Sequence, residues 1–173
     1  MKNTAFSLSS FNFFIFLILI GILSGCQNNT TNSDQPTSAQ PNIDSLYSIK
    51  VNLDQVQLNE EATTAALKWE DYMATQNELE QWKSYKFSEI ISNAENLQAV
   101  TDSIRLDIPK VFNNKPMQAR LKTLTSQADM LKMYASETQD YRTIQQQAQS
   151  ILKTFVGCKR QMNEAFVEAF SLE

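Results

Sequence analysis

The sequence predicts an all-α protein, an elongated antiparallel helical bundle that follows a disordered tether. Residues that break helices are scarce in the body of the chain. From Leu58 onward, Gly157 is the only glycine, and Pro109 and Pro116 are the only prolines. Over the same stretch, apolar residues recur at intervals of three and four, as they do on one face of an amphipathic helix. The preceding segment, residues 27–42, has almost no apolar side chains and cannot build a core.

The N-terminal segment has the layout of an export signal. Lys2 is the only charged residue among the first 33 and supplies a minimal positive start. Residues 11–22 are apolar apart from Asn12 and Gly21. As a helix, these 12 residues would span about 18 Å, which is short of the roughly 30 Å of bilayer hydrocarbon. The pattern favours the apolar part of a signal peptide. An ordinary secretory signal and a short uncleaved anchor are the alternatives.

The tetrapeptide Leu23-Ser24-Gly25-Cys26 directly follows the apolar segment. It resembles the lipobox of bacterial lipoprotein precursors, in which an aliphatic residue and two small residues precede the lipidated cysteine. The resemblance covers residues 1–26. It implies that Cys26 receives a diacylglycerol thioether, becomes the first residue of the mature protein and anchors it to a membrane outside the cytoplasm. By the same resemblance, Gln27 in place of a retaining aspartate implies the outer membrane rather than the inner one. The side of that membrane stays open.

These features predict three regions. We assign residues 1–25 to a lipoprotein signal peptide, residues 26–45 to the lipidated cysteine and a disordered tether, and residues 46–173 to a helical domain. The stretch 27–42 consists mainly of Asn, Gln, Ser, Thr and Pro. As a flexible chain, these 16 residues would reach about 20 to 24 Å. The tether is therefore long enough to hold the domain clear of lipid headgroups.

Two apolar stripes precede the central turn. They consist of Leu58, Ala62, Ala65, Trp69, Tyr72, Gln76 and Leu79, and of Ile90, Ala94, Leu97, Thr101, Ile104 and Ile108. The periodicity slips between them, near residues 83–88, which predicts either a break or a bend. Pro109 ends the second stripe, because the residue before a proline is pushed out of helical geometry.

A third helical region begins after the turn. Asn114 is a suitable N-cap for it, and Pro116 is tolerated in the first helical turn. One apolar stripe then runs from Met117 to Ala169, but Ser136 and Gln139 resemble a capping box and would start a new helix. Two architectures remain open. One is a long helical hairpin that turns between Pro109 and Asn114. The other is a four-helix up-and-down bundle with breaks near Lys83 and Ser136.

Composition excludes several classes of function. The chain contains no histidine, which excludes Ser-His-Asp triads and histidine-based zinc sites. Phosphate-binding loops and dinucleotide fingerprints need several glycines, and the chain has only one glycine after the signal, which excludes both motifs. Loss of residues 1–25 would remove only Lys2 among the charged groups, leaving 14 basic and 19 acidic side chains. This acidic balance argues against nucleic acid as a partner. We predict a noncatalytic protein with no cofactor and no metal.

Four aromatic residues are candidates for a binding surface: Trp69, Tyr72, Trp82 and Tyr85. They would line a groove for an apolar or glycan ligand, or they would pack in the core. Arg105 and Arg120 flank the central turn and would either bind an anionic group or form salt bridges.

Cys158 would be left without an intramolecular partner if Cys26 is lipidated. We interpret it as a small apolar residue on a packed helix face; an intermolecular disulfide or a redox thiol is the alternative.

The expected function is that of a lipid-anchored interaction module of the cell envelope. Its partners would be the membrane, through the lipid on Cys26, and another envelope protein bound by an exposed stripe on a helix. The alternative is a lipoprotein that holds an apolar or glycan ligand near Trp69 and Trp82.

Overall fold

A computed structural model describes residues 42–138 and 140–170, with side chains up to Val167. This part of the chain contains seven α-helices, one 3-10 helix and no β-strand. The prediction of an all-α protein is confirmed. The helices are α1 (Ile43–Leu46), α2 (Glu60–Ala66), α3 (Glu70–Gln81), α4 (Phe87–Ser92), α5 (Ala94–Ser103), α6 (Lys115–Glu137) and α7 (Tyr141–Phe170), with the 3-10 helix at Leu53–Gln55. The signal, the lipobox and residues 26–41 of the tether lie outside the described residues.

Four helices, α3, α5, α6 and α7, form an up-and-down bundle. Helices α3 and α5 are antiparallel, since Thr75 hydrogen-bonds the Val100 carbonyl and Asn96 hydrogen-bonds Glu78. By the same reasoning α5 and α6 are antiparallel, with Thr125 bonded to the Thr101 carbonyl and Lys132 paired with Glu95. Gln147 of α7 donates to the carbonyl of Gln127 in α6, and Gly157 lies against Arg120. The four-helix alternative is therefore the observed one.

The predicted helix start at Asn114 and the two predicted breaks agree with the structure. Two other predicted ends are wrong, because α5 already ends at Ser103 and Ser136 lies inside α6 instead of capping α7. The side-chain oxygen of Asn114 accepts a hydrogen bond from the Met117 backbone N–H, and Pro116 lies in the first turn of α6. Helix α3 ends at Gln81, so the slip near Lys83 is a break. Helix α6 ends at Glu137, and the carboxylate of Asp140 then caps α7 through the backbone N–H and hydroxyl of Thr143. The predicted capping partner Gln139 lies outside the described residues.

Two helix breaks were not predicted. The stripe from Leu58 to Leu79 is interrupted at Trp69, whose φ of −102° and ψ of 87° are not helical. The second stripe is interrupted at Asn93, where φ is −96° and ψ is 5°. The side-chain amide of Asn93 donates to the Glu89 carbonyl at 2.8 Å. Both breaks keep the buried face continuous while the helix axis changes, so the apolar periodicity does not reveal them.

The chain between α1 and α2, residues 47–59, is a largely extended strap that runs along α7. The Ser48 carbonyl accepts from the side chain of Gln145, the Leu53 carbonyl accepts from Lys159, and the Gln57 carbonyl accepts from Asn163. Strap and helix therefore run in the same direction. The lengths match, because six extended residues and the three residues of the 3-10 helix cover about 26 Å, and 18 residues of α7 cover about 27 Å.

Residues 42–45 belong to the folded domain, which corrects the boundary predicted for the tether. The carboxylate of Asp44 accepts hydrogen bonds from the backbone N–H of Ser88 at 2.8 Å and from its hydroxyl at 2.9 Å. Tyr47 then stacks on Phe87 with ring centroids 5.3 Å apart. These contacts depend on residues 40 and 44 positions away, so the polar composition of the segment did not indicate them.

The buried core lies between Leu53 and Ala165, and contacts group Gln40–Glu173 as one compact unit. Because this unit contains its own core, we expect the segment 40–173 to fold by itself. Among the described helices, none is both long and apolar enough to cross a membrane.

One carboxyl group is buried among these helices. Glu78 of α3 is 5% exposed, and its Oε2 accepts a hydrogen bond from Asn96 at 2.6 Å. Its Oε1 is buried and has no hydrogen-bond partner among the described residues. Burial raises the pKa of Glu78, and this effect outweighs the lowering by Asn96 and by the nearby Trp82 indole, which does not reach hydrogen-bond geometry. The ionised form of Glu78 is therefore unfavourable in the folded protein.

We expect Glu78→Gln to stabilise the protein at neutral pH. Glutamine keeps an oxygen for Asn96 and carries no charge to be desolvated. Because the folded pKa is raised, the wild-type protein loses stability as the pH rises above the ordinary value of 4.5 and through the folded pKa. Melting temperatures of both proteins between acid and neutral pH test this. The difference in melting temperature in favour of the variant should grow with pH and vanish in acid. A difference of constant size would contradict a raised pKa for Glu78.

Candidate functional site

The structure places three of the four predicted surface aromatics in the core. Trp69 and Trp82 are 2% exposed and Tyr72 is 1% exposed, while Tyr85 is half-buried. The interpretation of Trp69, Tyr72 and Trp82 as a binding surface is therefore wrong, and the core-packing alternative holds for them. The physical reason is their position on the inward stripe, where large aromatic rings bury the most apolar area.

These rings form a stacked series through the bundle. Trp69 packs on Tyr72 and on Phe112, with centroid distances of 5.5 and 6.0 Å, and Tyr72 packs on Phe155 at 5.4 Å. The Tyr72 hydroxyl donates to Gln76 at 2.8 Å. The series joins α3, the central turn and α7, so it holds the bundle together.

Cys158 is buried as predicted, with 1% of its surface exposed. Burial raises the pKa of its thiol to about 12, although the charge of Arg120 acts in the opposite direction. A thiol with this pKa is protonated at neutral pH and is a poor nucleophile. The position therefore serves packing.

A groove of about 920 Å³, which we call the basic groove, lies on the surface of the bundle. Helix α7 supplies most of its lining, between Gln149 and Arg160, and contacts both α6 and the 3-10 helix of the strap. Four of the lining side chains are cationic and none is acidic: Lys50, Arg120, Lys153 and Arg160. In a chain with a net charge of −4, this segregation of positive charge makes the groove a candidate binding site.

Arg120 enters this groove because Gly157 leaves room for it. A Cβ atom at Gly157 would lie 3.0 Å from Nη1 of Arg120, so the guanidinium group rests directly on the backbone of α7. The Nε of Arg120 is buried and has no hydrogen-bond partner among the described residues. A buried donor without a partner is costly, so this placement of the guanidinium group is held by packing against α7 rather than by a hydrogen bond from Nε.

The cations of the basic groove are not neutralised by neighbouring carboxylates. In the part of the chain that the structure describes, the salt bridges join Lys83 to Asp54 and Glu80, and Lys132 to Glu95. Of the two arginines considered from the sequence, Arg120 lies in the groove, and Arg105 is exposed and outside it. Sequence reasoning missed Lys153 and Arg160. Their spacing of seven residues, with a glycine between them, was the available signal.

A second surface lies at the end of the bundle where α2 meets the last turns of α7. Its apolar lining residues are Ala65, Pro109, Val111 and Phe166, flanked by Glu60, Glu61, Thr64 and Lys68. We call it the end surface. Leu67, beside Lys68, is 64% exposed, and Leu106, shortly before Pro109, is 82% exposed.

The basic groove and the end surface are candidate sites among the described residues, and neither contains the predicted tryptophans. Both depend on contacts between segments that are distant in sequence. In comparisons with known proteins, no family model, no curated protein and no solved structure matches this chain.

Proposed function

We propose that this protein is a lipid-anchored helical module of the cell envelope that binds another envelope protein through its end surface. The proposed lipid attachment to a membrane rests on the resemblance of residues 23–26 to a lipobox. Attachment would be through Cys26, and Gln27 in place of a retaining aspartate favours the outer membrane by the same resemblance. The binding role rests on the apolar residues of the end surface, of which Val111 is 37% exposed and Ala65, Pro109 and Phe166 are half-buried. Apolar patches rimmed by polar residues are typical of protein contact sites.

The position of the end surface supports separate sites for membrane attachment and for partner binding. The described chain begins at α1, and Tyr47 just after α1 packs near Tyr141 in the first turn of α7. Phe166 lies 25 residues further along α7, about 38 Å away. A tether that enters at α1 would therefore hold the opposite end of the bundle, with its apolar surface, away from the membrane.

Site-specific photocrosslinking in intact cells tests the proposed contact. A photoreactive residue would replace Val111 of the end surface or, as a control, Met133 of α6. The two side chains are similarly exposed, at 37% and 41%. We expect position 111 alone to yield a discrete product that contains a second envelope protein. Product at neither position, or only a dimer of this chain, would contradict the proposal.

The alternative, a lipoprotein with an apolar or glycan ligand near Trp69 and Trp82, has less support. Both indoles lie in the core, so a ligand would have to displace packed side chains to reach them.

A further inference from the structure

We propose that the basic groove binds a ligand with two or more phosphate groups, either as a soluble compound or as the headgroup of a lipid. This inference is independent of the end surface and of the proposed protein partner. It rests on the arrangement of four cations, on the absence of acidic residues from the lining and on the size of the groove.

The cations form a row that suits separated anionic groups. Lys153 and Arg160 lie on the same face of α7, seven residues and about 10 Å apart along its axis. Arg120 reaches in from α6 and rests on Gly157, between these two positions. Lys50 adds a fourth charge from the strap. A ligand with a single charged group would meet only part of this row.

Phosphate is the anion that matches this set of donors best. Near neutral pH a phosphate monoester carries nearly two negative charges and a phosphodiester carries one, so two phosphate groups supply about two to four negative charges to the four cations. The guanidinium groups of Arg120 and Arg160 present planar sets of donors that fit phosphate oxygens. The groove has no aromatic lining residue on which a nucleobase would stack, so a nucleic acid strand is not the fitting ligand.

The dimensions of the groove also call for a ligand larger than one phosphate. Its volume of about 920 Å³ falls at the upper end of the range for small-molecule sites. Gln127, Ser150 and Thr154 contribute neutral polar groups to the lining, and the buried Oε1 of Gln127 has no partner among the described residues. Ser150 and Thr154 would hydrogen-bond hydroxyls on the scaffold that joins the phosphates.

Two binding measurements on the segment 40–173 test the proposal. Calorimetric titration with inorganic tripolyphosphate detects a soluble phosphate ligand. Flotation with phosphatidylcholine vesicles, with and without cardiolipin, detects a headgroup with two phosphates. Both are done at about 0.15 M salt, where charges further than about 8 Å apart are largely screened. Saturable binding of tripolyphosphate alone would indicate a soluble ligand. Binding that requires cardiolipin would indicate a lipid headgroup.

Matched double variants separate the groove from general electrostatic attraction. Lys153→Gln with Arg160→Gln removes two exposed groove cations, and Arg105→Gln with Lys110→Gln removes two exposed cations outside it. We expect the groove variant to bind at least about tenfold more weakly, because charge-assisted hydrogen bonds are lost. The control variant should bind within about twofold of wild type. Equal loss in both variants, or no binding of either probe by the wild-type segment, would overturn the proposal.

Discussion

Trp69→Ala is expected to reduce the free energy of unfolding by about 3 to 5 kcal/mol, the range typical of a large aromatic residue truncated in a core. The indole is 2% exposed and contacts two other rings, so its removal leaves a cavity lined by Tyr72 and Phe112. Each lost ring pair contributes about 0.5 to 1.5 kcal/mol beyond the buried area. Native proteins are stable by only about 5 to 15 kcal/mol, so this loss would be a large fraction of the total stability.

Urea denaturation of the segment 40–173, followed by circular dichroism, measures this loss. Leu67→Ala is the matched control, because Leu67 is two residues away and 64% exposed. It should change the unfolding free energy by no more than about 0.5 kcal/mol. A loss below about 1 kcal/mol for Trp69→Ala would mean that the indole is not packed as described.

The helical architecture was largely predictable because its signals are local. Apolar spacing reports which face of a helix is buried, and Asn114 with Pro116 defines a helix start within four residues. The break at Trp69 was not predictable in this way. It is produced by the fit of a buried indole against Tyr72 and Phe112, and Phe112 is 43 residues away in sequence.

The candidate sites were much less predictable than the helices. Chemistry identified Trp69 and Trp82 as residues suited to binding, but the same properties suit a core, and only the packing decides between them. The basic groove needs three segments that are far apart in sequence. Arg120 was noted as a possible anion-binding residue, but its place beside Gly157 depends on the antiparallel packing of α6 and α7.

The position of the strap was also not predictable from local sequence patterns. In residues 47–59 the apolar positions first alternate and then become irregular, and they show no helical period. The path of this segment along α7 therefore could not be derived from the sequence. Lys159 illustrates the reason. It is 7% exposed, burial lowers its pKa, and its amine donates to the Leu53 carbonyl at 2.9 Å. The charged end of a lysine on a helix is usually solvated. Lys159 is buried and hydrogen-bonded only because the strap passes over it.

Cys26→Ala is expected to abolish lipid attachment and to release the protein from membranes. Each buried methylene of an acyl chain contributes about 0.8 kcal/mol, so two or three chains on Cys26 would make anchoring effectively permanent. Without them, only residues 11–22 would hold the chain, and as a helix these span about 18 Å of the roughly 30 Å required. The alanine variant should therefore be extracted from membranes by alkaline carbonate, whereas the wild-type protein should resist extraction.

Metabolic labelling with a fatty acid provides the second readout, because it reports the covalent lipid independently of membrane retention. The wild-type protein should incorporate the label and Cys26→Ala should not. Ser24→Ala is the matched control, since alanine keeps a small residue at this lipobox position and should leave both labelling and anchoring intact. Incorporation of the label by Cys26→Ala, or retention of Cys26→Ala in membranes after carbonate treatment, would contradict lipid anchoring at this residue. The envelope role of the end surface would then need another means of placing the bundle at a membrane.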